Sequence, residues 1–231
     1  MHTKLLLTAT TVAAALLVGP LVGSASSQAA PDLAAFCEAR SNAETTFISG
    51  DPESIEALLT TLETAAPPDI SDDAALVARG LAKKAEDAFK DKKFLAALNR
   101  IDVYTVLNCG YARIDVAGVD FAFEGIPATI PAGPTAFVFT NEAKKEQHEM
   151  LLLRLNEDVT DPAKRLLALP EKKLEKKVDF ISAASAGPGA TQTSFTDLTP
   201  GHYIATCFIP TRTGKHRPHW KEGMYAEFDV A

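Results

Sequence analysis

The sequence predicts an α+β protein in which a small N-terminal helical bundle precedes a C-terminal antiparallel β-sandwich. Up to residue 109, apolar residues recur with the 3.6-residue period of amphipathic helices. Beyond residue 112, short runs that alternate apolar with small or polar residues are separated by glycine and proline turns. We therefore expect a helical domain over residues 31–112 and a β domain over residues 113–231.

The first 29 residues are typical of a secretory signal peptide. Lys4 precedes an apolar stretch over residues 5–22, and small residues lead to an expected cleavage site near Ala29. No cluster of basic residues follows that could halt translocation of the chain and leave this segment in the membrane. No later stretch is long and apolar enough to span a bilayer. We expect a secreted, extracytoplasmic protein with no membrane span once the signal is removed.

The charge of the chain argues against nucleic-acid binding. The formal net charge is -7, whereas neutralising phosphates requires clustered Lys and Arg. The lysines within residues 171–177 are interleaved with glutamates, a pattern typical of a solvated helix face. No nucleic-acid partner is expected.

Four helical segments are expected in the first domain. The first carries Cys37, the second begins at the N-cap Asp51, and the third begins near Ser71. The fourth ends near Cys109, where Gly110 suits a C-terminal cap. The many alanines among their apolar residues predict a thin core for this bundle.

Three cysteines are present, and three cannot all pair within one chain. Export permits disulfides, and we expect Cys37 and Cys109 to be bonded, which would tie the first helix to the last. The alternative is that either cysteine binds a metal, which is disfavoured because no histidine lies between residues 3 and 147. Cys207 is then free, bonded between molecules, or bound to a metal.

Cys207 belongs to a set of residues whose chemistry suits copper. His219 and Met224 follow it, and His148 begins an earlier apolar run. One thiolate, two imidazoles and one thioether select copper, because soft sulfur suits Cu(I) and imidazole suits both oxidation states.

Residues 116–231 resemble the cupredoxin, or blue copper, family. Residues 201–207 look like the penultimate strand of that family and its copper cysteine, with Tyr203 suited to a tyrosine corner. Residues 219–224 have the spacing His-x-x-x-Gly-Met before a final strand, and residues 137–148 look like the strand, loop and first histidine. The helical region lies outside this resemblance.

The resemblance implies a β-sandwich of cupredoxin type that binds one copper ion. His148, Cys207 and His219 are implied as trigonal ligands, and Met224 as a weak axial ligand. The resemblance further implies a protein that transfers single electrons.

The sequence departs from the family pattern in two places. Eleven residues separate Cys207 from His219, more than the family commonly places there, and His216 is a nearer alternative ligand. Glu149 follows the first histidine where many members have asparagine, and a carboxylate there alters the surroundings of the metal.

Catalysis by this chain alone is not expected. Multicopper oxidases need further histidine clusters, the chain has five histidines, and it has no Gly-x-Ser-x-Gly segment. The expected partner is a protein that exchanges electrons or another extracellular protein. Two alternatives remain: a metal-free cupredoxin-like binding module or copper carrier, and an intermolecular disulfide through Cys207.

Overall fold

The helices begin where acidic side chains cap them. The computed structural model describes residues 32–214 and 216–231, without the side chains of residues 44, 45, 48, 49 and 84–86; the expected signal peptide lies outside this part of the chain. The carboxylates of Asp32, Asp51 and Asp91 each accept a hydrogen bond from a backbone N–H in the first turn. The helices are α1 (Leu33–Ser49), α2 (Pro52–Thr64), α3 (Ser71–Ala88) and α4 (Lys92–Asn108), with a short 3-10 turn at Pro68–Ile70.

The helices bury one apolar core. Its fully buried members include Phe36 on α1 and Phe94 and Ile101 on α4. The expected disulfide between Cys37 and Cys109 is present, and it joins α1 to the residue that caps α4.

The rest of the chain is a sandwich of two sheets. One sheet has the strand order β2-β1-β4-β7 and the other has the order β3-β9-β8-β5-β6. Apolar side chains such as Phe137, Leu152 and Phe228 fill the space between them. The strands are β1 (Ala112–Val119), β2 (Ala122–Glu124), β3 (Thr129–Ile130), β4 (Gly133–Asn141), β5 (His148–Leu155), β6 (Val178–Ala186), β7 (Thr191–Leu198), β8 (Gly201–Thr206) and β9 (Tyr225–Val230).

The predicted sandwich is confirmed, but its sheets are mixed and not purely antiparallel. β1 pairs with β4 in parallel, from Ala112 opposite Thr135 to Gly118 opposite Asn141, and β3 pairs with β9 in parallel. The reason is the route of the chain. After β1 and β2 it crosses to the second sheet at β3, and it returns as β4 in the direction of β1.

Strand β6 includes residues whose sequence is typical of a loop. Residues 182–191 are small residues, glycine and proline, but residues 182–186 are the second half of β6. Ala184 and Ala186 point into the core and Ser185 is exposed. Pairing with β5 along its length overrides the weak strand propensity of alanine and serine.

Two short helices separate β5 from β6. They are α5 (Ala163–Leu167) and α6 (Glu171–Leu174), and Pro170 lies between them. Leu166, Leu167 and Leu174 pack in one cluster with Leu153 and Trp220. A last short helix, α7 (His219–Glu222), precedes β9.

The helical region packs directly on the sandwich. Arg40 of α1 donates two hydrogen bonds, of 2.9 and 2.7 Å, to Asp102 of α4, and both residues are buried. The same guanidinium lies 4.5 Å from the centre of the Phe195 ring on β7. Residues 31–231 accordingly form one compact unit. Within the described residues, none of the helices has the length and apolar character needed to cross a membrane.

Candidate metal centre

Four side chains implied as ligands lie at one end of the sandwich core. His148 is the first residue of β5, and Cys207 directly follows β8. His219 begins α7, and Met224 lies between α7 and β9. All four residues are completely buried.

The strand period explains why the His148 ring points inward. Alternate residues of a strand share a face, so His148 lies on the same side of β5 as Met150 and Leu152. Both of these are completely buried in the core between the sheets. Tyr203 stabilises the start of β8. Its ring is buried, and its hydroxyl group donates a hydrogen bond of 2.8 Å to the carbonyl oxygen of Thr199. This contact is the expected tyrosine corner.

Residues 207–220 form a hairpin that returns His219 to Cys207. The eleven residues between them run out from β8 and back to α7, with a bridge between Pro210 and Pro218. His216 lies near the tip with its side chain exposed, and its Nδ1 atom is 3.1 Å from the carbonyl oxygen of Thr211. His219, and not His216, therefore reaches the buried cluster. Three backbone hydrogen bonds join the two arms: Trp220 N to Cys207 O (2.9 Å), His219 N to Ile209 O (2.9 Å) and Thr211 N to Arg217 O (2.9 Å).

Three ligand atoms converge. The Nδ1 atoms of His148 and His219 are 3.0 Å apart, and Cys207 Sγ is 3.3 Å from His219 Nδ1. One nitrogen or sulfur atom from each of the three residues lies within 4.8 Å of the others. Ligand distances of roughly 2.0–2.3 Å require donor atoms about 3.5 Å apart in a three-coordinate plane. The triangle thus has about the size that one metal ion needs.

Met224 is tied to this triangle through its backbone. Its carbonyl oxygen accepts a hydrogen bond of 3.2 Å from the Cys207 N–H. Its own N–H donates a hydrogen bond of 3.1 Å to the carbonyl oxygen of His219. The Met224 methyl group faces Gly118 of β1, where an added Cβ would lie 3.5 Å from it and 2.7 Å from the Phe139 ring. The close packing here explains the absence of a side chain at Gly118.

Burial keeps the metal-free cluster neutral. It lowers the pKa of His148 to about 4, with a further contribution from the nearby charge of His219, and it also lowers the pKa of His219. Burial raises the pKa of the Cys207 thiol to about 11. At neutral pH the cluster therefore holds two neutral imidazoles and one protonated thiol.

The chemistry of this cluster fits copper. A thiol and two imidazoles, all buried, bring nitrogen and sulfur atoms within 4.8 Å of one another, and this is a donor set that suits copper. Among the described residues, the outer Nε2 atoms of both histidines have no hydrogen-bond partner. The polar contacts within hydrogen-bond distance of these two rings are therefore made through the Nδ1 atoms, inside the cluster.

Glu149 links the two strands that carry His148 and Cys207. Its backbone N–H points at Cys207 Sγ at 3.5 Å, and its Oε1 atom accepts a hydrogen bond of 2.9 Å from the N–H of Phe208. Glu149 therefore contacts the thiol through its backbone and the residue after Cys207 through its carboxylate.

Two residues near the cluster carry no signal in the sequence. Phe121 adopts a φ of +64°, unusual for a bulky side chain, and its ring centre lies 5.0 Å from that of His219. Glu146 places Oε2 at 3.6 Å from His219 Nε2. Neither contact belongs to a local motif, since each depends on how distant segments pack.

His202 does not take part in the cluster. It lies partly exposed on β8, where its two ring nitrogens face Asp229 at 2.8 Å and Glu227 at 3.1 Å. His202 is therefore a residue of the sandwich surface.

Comparison with known proteins gives matches for the C-terminal half. No protein-family model and no curated protein matches the chain. Among solved structures, an auracyanin of Roseiflexus castenholzii matches with 24% identity over 53% of this chain and 99% of its own, with a TM-score of 0.37. A rusticyanin of Thiobacillus ferrooxidans matches with 13% identity over 52% and 77%, with a TM-score of 0.34. A copper-containing nitrite reductase of Thermus scotoductus matches with 19% identity over 52% and 22%, with a TM-score of 0.28.

The residues after 112 form a sandwich of two sheets. The similarities to these solved structures cover about half of the chain. The helical region remains without a match.

Proposed function

We propose that the protein is an extracytoplasmic copper protein that transfers single electrons and is not itself an enzyme. One copper ion would be held by His148, Cys207 and His219, with Met224 as a weak axial ligand. The observation that carries this proposal is the convergence of three buried donor atoms from β5, the end of β8 and α7. The Cys37–Cys109 disulfide supports an oxidising compartment.

The chain contributes rigidity and exclusion of water. Bound copper would supply the cycle between Cu(I) and Cu(II). The hairpin hydrogen bonds fix His219 relative to Cys207, and the backbone of Met224 is bonded to both. Complete burial of all four side chains keeps solvent from the site. A site held by so many fixed contacts changes little when the charge of the metal changes, which favours fast electron transfer.

A copper titration of the mature protein tests the proposal. We expect one Cu(II) per chain, a strong thiolate-to-copper absorption band and a narrow copper hyperfine splitting. Cys207→Ser removes the band and leaves the fold intact, whereas His216→Gln, which alters an exposed histidine of the hairpin, keeps it. Absence of copper binding by the native chain would instead support a metal-free binding module. Tight binding without a reversible one-electron couple would support a copper carrier.

A further inference from the structure

Glu146 is fixed between the hairpin and His219. It lies in the loop between β4 and β5, and its Oε2 atom accepts a hydrogen bond of 3.1 Å from the N–H of Arg212. The carbonyl oxygen of Glu146 accepts a hydrogen bond of 2.9 Å from Asn141 Nδ2. The carbonyl oxygen of Lys145 accepts a hydrogen bond of 2.8 Å from Arg212 Nη1. The side chain of Glu146 is 13% exposed, and the same Oε2 atom lies 3.6 Å from His219 Nε2. One carboxylate oxygen therefore faces both the hairpin and the outer edge of the imidazole.

The proton positions in the cluster depend on this carboxylate. His148 Nδ1 and His219 Nδ1 are 3.0 Å apart, so one of these nitrogens carries a proton and the other accepts it. A proton on His219 Nδ1 would leave a bare Nε2 lone pair facing the carboxylate, which is repulsive. A proton on His219 Nε2 points toward the carboxylate instead, and His219 Nδ1 is then the acceptor.

We propose that Glu146 is a positioning residue that selects the Nε2–H form of His219, aims its Nδ1 lone pair at the metal position and couples the metal to the hairpin. The metal part rests on the proposed function. A histidine that binds a metal donates its other N–H more strongly, and partners of this kind are typically worth 10–100-fold in metal affinity. The Nε2–H of a metal-bound His219 would therefore donate more strongly to Glu146. Because Arg212 is bonded to the same oxygen, the exposed hairpin responds to the occupancy of the site.

The tautomer of His219 tests the proposal without any metal. Nitrogen-15 NMR of the imidazole in the metal-free mature protein should show the proton on Nε2. Glu146→Ala should shift His219 to a mixture of both forms. Glu142→Gln is the matched control, because it removes an exposed carboxylate from the same loop, and it should leave the tautomer unchanged. An unchanged His219 spectrum in Glu146→Ala overturns the proposal, whether or not the protein binds copper.

Copper binding and hydrogen exchange test the coupling. With Glu146→Ala we expect about a 10–100-fold loss of copper affinity and the loss of copper-dependent protection of the Arg212 amide. Glu146→Gln retains an oxygen acceptor for that amide, so protection should persist. It removes a negative charge that stabilises Cu(II), so the reduction potential should rise. Native affinity, potential and protection in Glu146→Ala would overturn the coupling. Failure of the native chain to bind copper would instead remove the proposed function and leave the tautomer result standing.

Discussion

The Nδ1 atoms of His148 and His219 lie 3.0 Å apart in the protein interior, although 71 positions separate the two residues in the chain. The first is placed by the inward face of β5 and the second by the return of the hairpin after β8. Cys207 Sγ completes the triangle. Burial disfavours charge on each of these groups. The protons that they hold therefore affect both copper binding and the pH dependence of stability.

Copper binding should release one proton per ion at pH 7. With a pKa of about 11, the Cys207 thiol is protonated in the metal-free protein and must lose its proton to bind. Both imidazoles are already neutral at pH 7, because their pKa values are lowered. Proton release measured with an indicator dye in weak buffer checks the number. The logarithm of the apparent affinity should rise by about one per pH unit between roughly pH 6 and 10. Release of no proton would show that the thiol is not a ligand.

Acid should destabilise the metal-free protein through His148. Its pKa is about 4 in the folded protein, below the ordinary value of 6.5, so the unfolded chain binds more protons between these values. Stability is therefore full above about pH 6.5 and falls as the pH drops towards 4, by about 3 kcal/mol from this group. Urea unfolding at several pH values measures the loss. His148→Gln should flatten the profile, whereas His216→Gln, an exposed control, should not. Parallel profiles for the native protein and His148→Gln would contradict the assignment.

The sequence predicts the residues of the buried cluster better than their surroundings. The order of His148, Cys207, His219 and Met224, and the parity of the cysteines, are properties of the chain that need no coordinates. The contact of Glu146 with His219 and the left-handed backbone of Phe121 arise from the packing of separate segments, so no local pattern reveals them.

Strand pairing is likewise only partly predictable from local sequence patterns. The small residues of β6 have weak strand propensity and form a strand because β5 lies beside them. The parallel pairing of β1 with β4 follows from a crossover between sheets, which periodicity within a strand does not encode. The start of α2 was predictable because the Asp51 side chain caps it, and caps act within a few residues.

Removal of the disulfide should destabilise the helical region. The bond between Cys37 and Cys109 closes a loop with a sequence separation of 72, and in the chain-entropy model such a loop is worth about 4 kcal/mol. We expect Cys37→Ala/Cys109→Ala to lose about 2–5 kcal/mol in unfolding free energy, measured by urea denaturation with circular dichroism. Cys207→Ser, which leaves the bond intact, is the control in metal-free protein. An unchanged midpoint in the double variant would contradict the expectation.

The buried pair Arg40–Asp102 should behave differently from an exposed pair when it is broken. Burial raises the pKa of Asp102, and the Arg40 guanidinium opposes this by stabilising the carboxylate. Asp102→Ala leaves that guanidinium buried against Phe195 without its partner, so we expect a loss of about 3–5 kcal/mol in the free energy of unfolding. Arg40→Met/Asp102→Leu should recover most of it, because apolar side chains need no countercharge. Arg100→Met breaks the exposed pair with Asp73 and should cost at most about 1 kcal/mol. Equal losses for Asp102→Ala and Arg100→Met, measured by urea denaturation, would show that burial adds nothing to the cost of breaking the Arg40–Asp102 pair.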